Sequence, residues 1–123
     1  ELGIGPRVRF TGYVSEDRLQ QLYADAACLV HPALKEGFGF TVAEAFSWNL
    51  PVAAASGSSI EEYFDGAADL FDPESVPGIA SALELVLRRG VTAGQQARRR
   101  SLRAELTWKR CAELTVAALE RVL

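Results

Sequence analysis

Residues 27–44 read Ala27-Cys28-Leu29-Val30-His31-Pro32-Ala33-Leu34-Lys35-Glu36-Gly37-Phe38-Gly39-Phe40-Thr41-Val42-Ala43-Glu44. The stretch opens with an unbroken apolar run, Ala27 to Val30, of the kind that suits a parallel strand buried on both faces. Pro32 stops the strand, and a glycine-bearing loop runs on through Gly39. Thr41 to Trp48 then reads as a helix, and Pro51-Val52-Ala53-Ala54-Ala55 as a second buried strand. Strand, loop, helix and strand in this order imply a crossover connection, and hence a parallel sheet.

The alternation continues on both sides. Upstream, Val8-Arg9-Phe10 alternates before Gly12, which predicts a strand. Ser15 caps a helix whose Leu19, Leu22, Tyr23 and Ala26 share one face. Downstream, Gly57 to Ser59 reads as a loop, Ile60 to Phe64 as a short helical turn and Asp69-Leu70-Phe71 as a last short strand. Ser75 caps a helix from Val76 to Arg88, with Ile79, Leu83, Val86 and Leu87 on one stripe and Gly90 at its end. Thr92 to Leu106 is an arginine-rich helix. Thr107 caps a final one in which Trp108, Cys111, Leu114, Ala118 and Val122 share a face. The pattern predicts an α/β, Rossmann-like fold: three αβα layers around a parallel sheet, with a helical C-terminal tail.

The totals agree with such a fold. A chain of 123 residues fits one compact domain, and 49% hydrophobic with 24% charged residues is ordinary for a soluble protein. No stretch approaches the ~20 apolar residues that a membrane span needs, and no signal-peptide pattern opens the chain. A net charge of −3 argues against a nucleic-acid domain, yet it leaves room for an anionic ligand held by local positive potential. Cys28 and Cys111 are expected to be free, buried thiols in a reduced compartment. The chain starts with Glu1 and contains no methionine, so it reads as a fragment of a longer protein.

In open α/β sheets ligands bind outside the carboxyl ends of the strands, which makes the loop after Val30 the candidate site. Gly37 and Gly39 flank Phe38 and let backbone N–H groups approach a ligand without a Cβ in the way. The loop runs into a helix start, whose free N–H donors and partial positive charge suit a phosphate. Glu36 stands before this anion site, and Glu44 is expected to point inward from the helix. An ionised carboxylate accepts hydrogen bonds from hydroxyls. Phosphate between two hydroxyl-binding groups describes a nucleotide sugar: sugar, diphosphate, ribose. Spacing alone does not carry this, because Glu105 and Glu113 are also eight positions apart on helices that read as surface.

Other residues have bland and functional readings side by side. His31 is the only histidine and ends the first strand at the ligand edge. It either bonds the backbone or contacts the sugar. Lys35 reads as a solvated loop lysine. Arg98-Arg99-Arg100, with Arg88, Arg89 and Arg103, reads as a solvated helix face, with docking to anionic lipid as the functional alternative. Gly37-Phe38-Gly39 also begins a dinucleotide fingerprint, with Val42 at the third glycine position and Glu61 or Glu62 as the later acid. An NAD-type domain of an oxidoreductase and a non-catalytic sugar or protein interaction module therefore stand as alternatives. The sequence shows no clustered metal-ligand spacing.

Glu36 to Glu44 resembles the E-x7-E motif of glycosyltransferase family 4, the group 1 glycosyl transferases, in its EGFG form. Val8-Arg9-Phe10-Thr11-Gly12-Tyr13-Val14 resembles the family's strand and glycine turn, and Leu22-Tyr23-Ala24-Asp25-Ala26-Ala27 its L-Y-x-x-A-D segment. Pro51-Val52, Glu62, Asp72-Pro73 and Trp108 also fall where the family places them. The likeness covers nearly the whole chain. It departs at Asn49 (for a glycine), at Trp48 (for a small residue) and at Glu61 (for a proline).

The resemblance implies the C-terminal, donor-binding half of a two-domain GT-B enzyme. Residues 1–123 then form part of that domain, with its beginning and the N-terminal acceptor domain upstream. It implies retaining transfer of a hexosyl unit from a nucleoside diphosphate sugar, without metal or cofactor. By position, Glu36 is the catalytic carboxylate that contacts the donor hydroxyls near the reacting carbon. Gly37 and the amides of Phe38, Gly39, Phe40 and Thr41 approach the sugar and distal phosphate, with His31 beside them. Glu44 holds the ribose, and the turn at Tyr13-Val14 lies against the base. The family's arginine and lysine clamp on the diphosphate would precede Glu1, so the fragment alone is expected to bind donor weakly and to turn over nothing. The implied partners are a nucleoside diphosphate sugar and an acceptor sugar, lipid or small molecule, and no nucleic acid. The implied location is the cytoplasm, or the inner face of a membrane through peripheral association.

Overall fold

The structure, a computed structural model, describes residues 3–122. After a 3-10 turn (Gly5–Arg7) come α1 (Glu16–Asp25), β1 (Leu29–His31), α2 (Phe40–Ser47), β2 (Val52–Ala55), α3 (Ser59–Phe64) and β3 (Asp69–Phe71). Three helices follow: α4 (Val76–Arg89), α5 (Ala93–Glu105) and α6 (Trp108–Glu120).

The packing is decided at β2, whose four residues are all buried. Side chains alternate across a strand, so β2 serves two cores. Val52 and Ala54 join Tyr23, Val42, Ala45, Ile60, Phe64 and Leu102 on one face. Ala53 and Ala55 join Phe71, Ala82 and Val86 on the other. The result is three layers, with α1, α2, α3 and α5 on one side of the sheet and α4 on the other. Both neighbours of β2 are parallel, with Val30 opposite Ala53 and Ala54 opposite Leu70. Small side chains in β2 let helices approach both faces closely.

The polar starts of the helices are satisfied as the sequence predicts. Ser15 Oγ accepts from the Arg18 amide, Ser75 Oγ from Gly78, and Thr107 Oγ1 from Arg110. Thr92 and Gln95 form a reciprocal capping box at α5. Each such cap is worth about 1 kcal/mol. Asn49, where the family places a glycine, is the one non-glycine residue with positive φ among those described, at 54°. Asn tolerates that region better than most residues.

Several sequence expectations are corrected. Val8–Phe10 forms no strand, and its side chains are exposed, Phe10 at 95%. A strand needs a neighbour to take its hydrogen bonds, and none lies beside it among the described residues. The strand expected at Ala27–Val30 is half-buried rather than buried on both faces, because among the described residues β1 pairs only with β2. On α4 the buried stripe runs through Ala82 and Val86, and Leu87 faces solvent. Cys111 is exposed and Cys28 half-buried, both as free thiols. The shared apolar face of α6 exists, but no residue of that helix is buried.

The largest correction concerns the arginine run. Arg99 is buried, with 8% of its surface exposed. Its Nε donates to the Ala67 carbonyl at 2.9 Å and its Nη1 to the Leu50 carbonyl at 2.8 Å. The guanidinium lies over the Phe46 ring, 4.3 Å from its centroid. Leu50 and Ala67 end the loops that enter β2 and β3, and their carbonyls need donors away from water. Burial pushes Arg99 down to about 10, against the pull of Asp69, which leaves it charged at neutral pH.

Candidate functional site

The loop after β1 is tied down from three directions. Glu36 Oε1 accepts from the Gly37 amide at 2.9 Å and the Phe38 amide at 3.4 Å. Its Oε2 lies 3.2 Å from His31 Nε2, at the end of β1. Its backbone carbonyl accepts from Ser59 Oγ at 2.8 Å, which anchors the loop to the start of α3. The amides of Phe38 and Gly37, with His31, hold the Glu36 carboxyl below the usual carboxylate range. Glu36 is therefore a fixed, ionised acceptor with a lone pair to spare on Oε2.

Gly39 turns the chain from this loop into α2. It adopts φ 96°, a left-handed conformation, as the N-cap. A Cβ there would run into Ile60 Cδ1 and sit 3.1 Å from Phe64, so both backbone and space require glycine. Phe38 packs beneath the turn against Phe40, Tyr63 and Phe64, with centroids 4.9–5.4 Å away. Apolar packing thus places the helix mouth, and its orphan donors stay outward. The amides of Phe40 and Thr41 meet no acceptor among the described residues. Free first-turn donors and the helix dipole favour an anion here.

Glu44 lies one turn further along α2 and is exposed. Its Oε2 accepts from the Tyr23 hydroxyl at 2.8 Å. Burial first, then the bond to Glu44 and its charge, push the Tyr23 phenol up to about 12. Trp48 stacks near Tyr23, with centroids 6.4 Å apart and planes within 7°. Together with Glu16, Leu19, Gln20 and Ser47 these residues line a cleft of about 490 Å³. Glu36 is not on its walls. Glu36 precedes α2 in the chain and Glu44 lies within it; each has its own partner, and the two do not line one described cleft. Tyr13 is fully exposed and Val14 half-buried, and neither lines that cleft.

Tyr23, Ser59 and Trp48 are the residues that sequence reasoning missed here. Tyr23 was legible only as a core position of α1, and its hydroxyl finds Glu44 across 21 positions. Ser59 carried no signal. Trp48 showed only as an oversized residue in a place for small ones. Among the described residues no group of three or more His, Cys, Asp or Glu is arranged to hold a metal ion. No helix among the described residues is long and apolar enough to cross a membrane.

Comparison with known proteins gives this loop and helix a context. The family model described as glycosyl transferases group 1 matches residues 1–89. The chain belongs to that family. The match takes in the β1–α2 loop, Glu36 and Glu44. Among relatives of this glycosyl transferase chain, the O-antigen chain mannosyltransferase B of Escherichia coli is 29% identical over 90% of the chain and 29% of its own length. The MMP alpha-(1->4)-mannosyltransferase of Mycolicibacterium hassiacum is 30% identical over the whole chain and 31% of its own length. The chain therefore spans less than a third of these relatives. A sucrose-phosphate synthase structure from Thermosynechococcus elongatus superposes with a TM-score of 0.75 at 24% identity, over 96% of this chain and 30% of that one. The fold is that of a GT-B glycosyltransferase half, Rossmann-like with a parallel sheet.

Proposed function

We propose that this chain carries the donor-binding part of a retaining glycosyltransferase that uses a nucleoside diphosphate sugar. One observation carries the reading: the amides of Phe40 and Thr41 at the mouth of α2 are unpartnered, in a stretch of chain that runs from one anchored carboxylate, Glu36, to another, Glu44. A diphosphate at the helix mouth finds free donors and partial positive charge. Glu36 and the Gly37–Gly39 turn receive the sugar, with Glu36 accepting from its hydroxyls near the reacting carbon. His31 acts through Glu36, holding the carboxylate rather than touching the sugar. Glu44 accepts from the ribose hydroxyls, and the Tyr13-Val14 turn supports the base. The names of the relatives, mannosyltransferases in several cases, support a nucleoside diphosphate mannose as the first donor to try.

Catalysis in this reading rests on positioning the sugar and on electrostatic support of the departing diphosphate. No residue here is assigned to a metal, and none is needed for those two tasks. The acceptor is bound by protein outside this chain, and transfer belongs to the longer enzyme. Acceptors held in or at a membrane fit a cytoplasmic enzyme with peripheral attachment.

The test is calorimetric titration with nucleoside diphosphates and nucleoside diphosphate sugars. Glu44→Gln is expected to weaken the nucleoside diphosphate about tenfold, the loss of a charge-assisted hydrogen-bond pair. Glu36→Gln is expected to leave the nucleoside diphosphate alone and weaken the sugar conjugate. Equal affinity of both ligands for Glu44→Gln and the unaltered chain would overturn the assignment. In the full-length enzyme, the anomeric configuration of the product by NMR tests retention.

A further inference from the structure

The end of α2 away from Glu36 borders a second, larger cavity, of about 530 Å³, between α2 and α5. Its walls combine an apolar floor, Phe46 and Leu106, with Gln96, Arg99, Arg100 and Arg103, and no acidic residue among those described lines it. Arg100 and Arg103 are exposed and make no ion pair or hydrogen bond among the described residues. Arg99 is a wall of the same cavity. Two of its nitrogens are committed to backbone carbonyls, and the third, Nη2, is enclosed with no acceptor. An unpartnered buried donor on a charged group is an unusual expense in a protein interior.

We propose that this cavity is a binding site for a phosphate-type anion carried on an apolar body. Arg100 and Arg103 supply two free guanidinium forks, the geometry that grips a phosphate bidentately. Arg99, held by the Leu50 and Ala67 carbonyls, adds a fixed positive charge to the wall. Phe46 and Leu106 cover the non-polar part. A carboxylate monoanion would leave one of the two free guanidinium groups uncompensated, and a neutral sugar would leave both. The site stands on the opposite side of α2's length from the Glu36 loop and does not depend on the glycosyl-transfer reading.

The experiment titrates the protein with three probes: inorganic phosphate, n-octyl phosphate and neutral n-octyl glucoside, followed by backbone amide NMR shifts. Octyl phosphate is expected to bind at least tenfold more tightly than inorganic phosphate and to shift amides around Gln96, Arg99 and Leu102. Octyl glucoside is expected to leave them in place. The double variant Arg100→Ala/Arg103→Ala, both exposed and unpaired, is expected to keep the unfolding midpoint and lose at least tenfold in affinity. Equal, arginine-dependent binding of both phosphate probes would overturn the apolar body and leave a site for free phosphate. Shifts confined to Phe40 and Thr41, or binding unaffected by the double variant, would overturn it.

Discussion

Replacing Arg99 by Met separates a buried stitch from a solvated charge. Met keeps most of the aliphatic stem and removes the guanidinium that lies over Phe46. The Leu50 and Ala67 carbonyls then lose donors at 2.8 Å and 2.9 Å. Hydrogen bonds from charged donors are worth about 1.5–3 kcal/mol each, and a buried acceptor left without a partner carries its full desolvation cost. Against this, the variant relieves the desolvation of a buried cation and the unpartnered Nη2. The balance is a loss of about 2–4 kcal/mol. With a urea m-value of about 2 kcal/mol/M, the midpoint falls by about 1–2 M. Arg99→Lys keeps the charge, but its single ammonium reaches one carbonyl at a time, so it recovers less than half. Arg100→Met, one position along and exposed, is the control and stays within about 0.5 kcal/mol. If Arg99→Met and Arg100→Met unfold at the same urea concentration, Arg99 is not a structural tie.

Gly39→Ala is expected to cost about 2–4 kcal/mol, from the left-handed φ and the contact with Ile60, whereas Gly37→Ala, with open space around its Cβ, stays neutral or gains slightly; chemical denaturation of the pair checks this. Tyr23 should ionise about two pH units late, near 12 against an ordinary 10.0. Its raised folded value means a contribution present in full below pH 10 and lost as pH rises towards 12. Absorbance titration should show a late-ionising tyrosine, and Tyr23→Phe should remove it. Glu36, held below its ordinary 4.5, contributes stability above that pH that fades as pH falls through its lower folded value. Glu36→Gln should flatten the thermal midpoint over that acid window, and an unchanged slope would contradict the pairing with its loop and His31.

Much of the architecture was readable because its causes are local. The unbroken apolar run of β2, the serine and threonine caps and the glycine turn before α2 are each decided by a few neighbouring residues, and all appear where expected. Val8–Phe10 alternates as a strand does, yet strand formation also needs a partner, which periodicity does not encode. Arg99 was hidden in a charge run, because a run of arginines looks alike until a helix turns one of them towards two carbonyls. The periodic face of α6 is real, but amphipathicity does not say what covers it. At the candidate site, Glu36, Gly39 and Glu44 were picked out by type and order. The bonds that fix them come from Tyr23, His31 and Ser59, and two of these lie on elements more than twenty positions away.

The three parallel strands give the molecule two rims with separate duties. His31, Glu36 and Gly39 gather where the strands end, whereas Arg99 stitches the loops where β2 and β3 begin. Substitutions along α5 can therefore alter robustness while leaving the chemistry at the far rim in register. Under the proposed donor-binding role, lineages of such chains have room to drift in stability on one rim without renegotiating their substrate on the other.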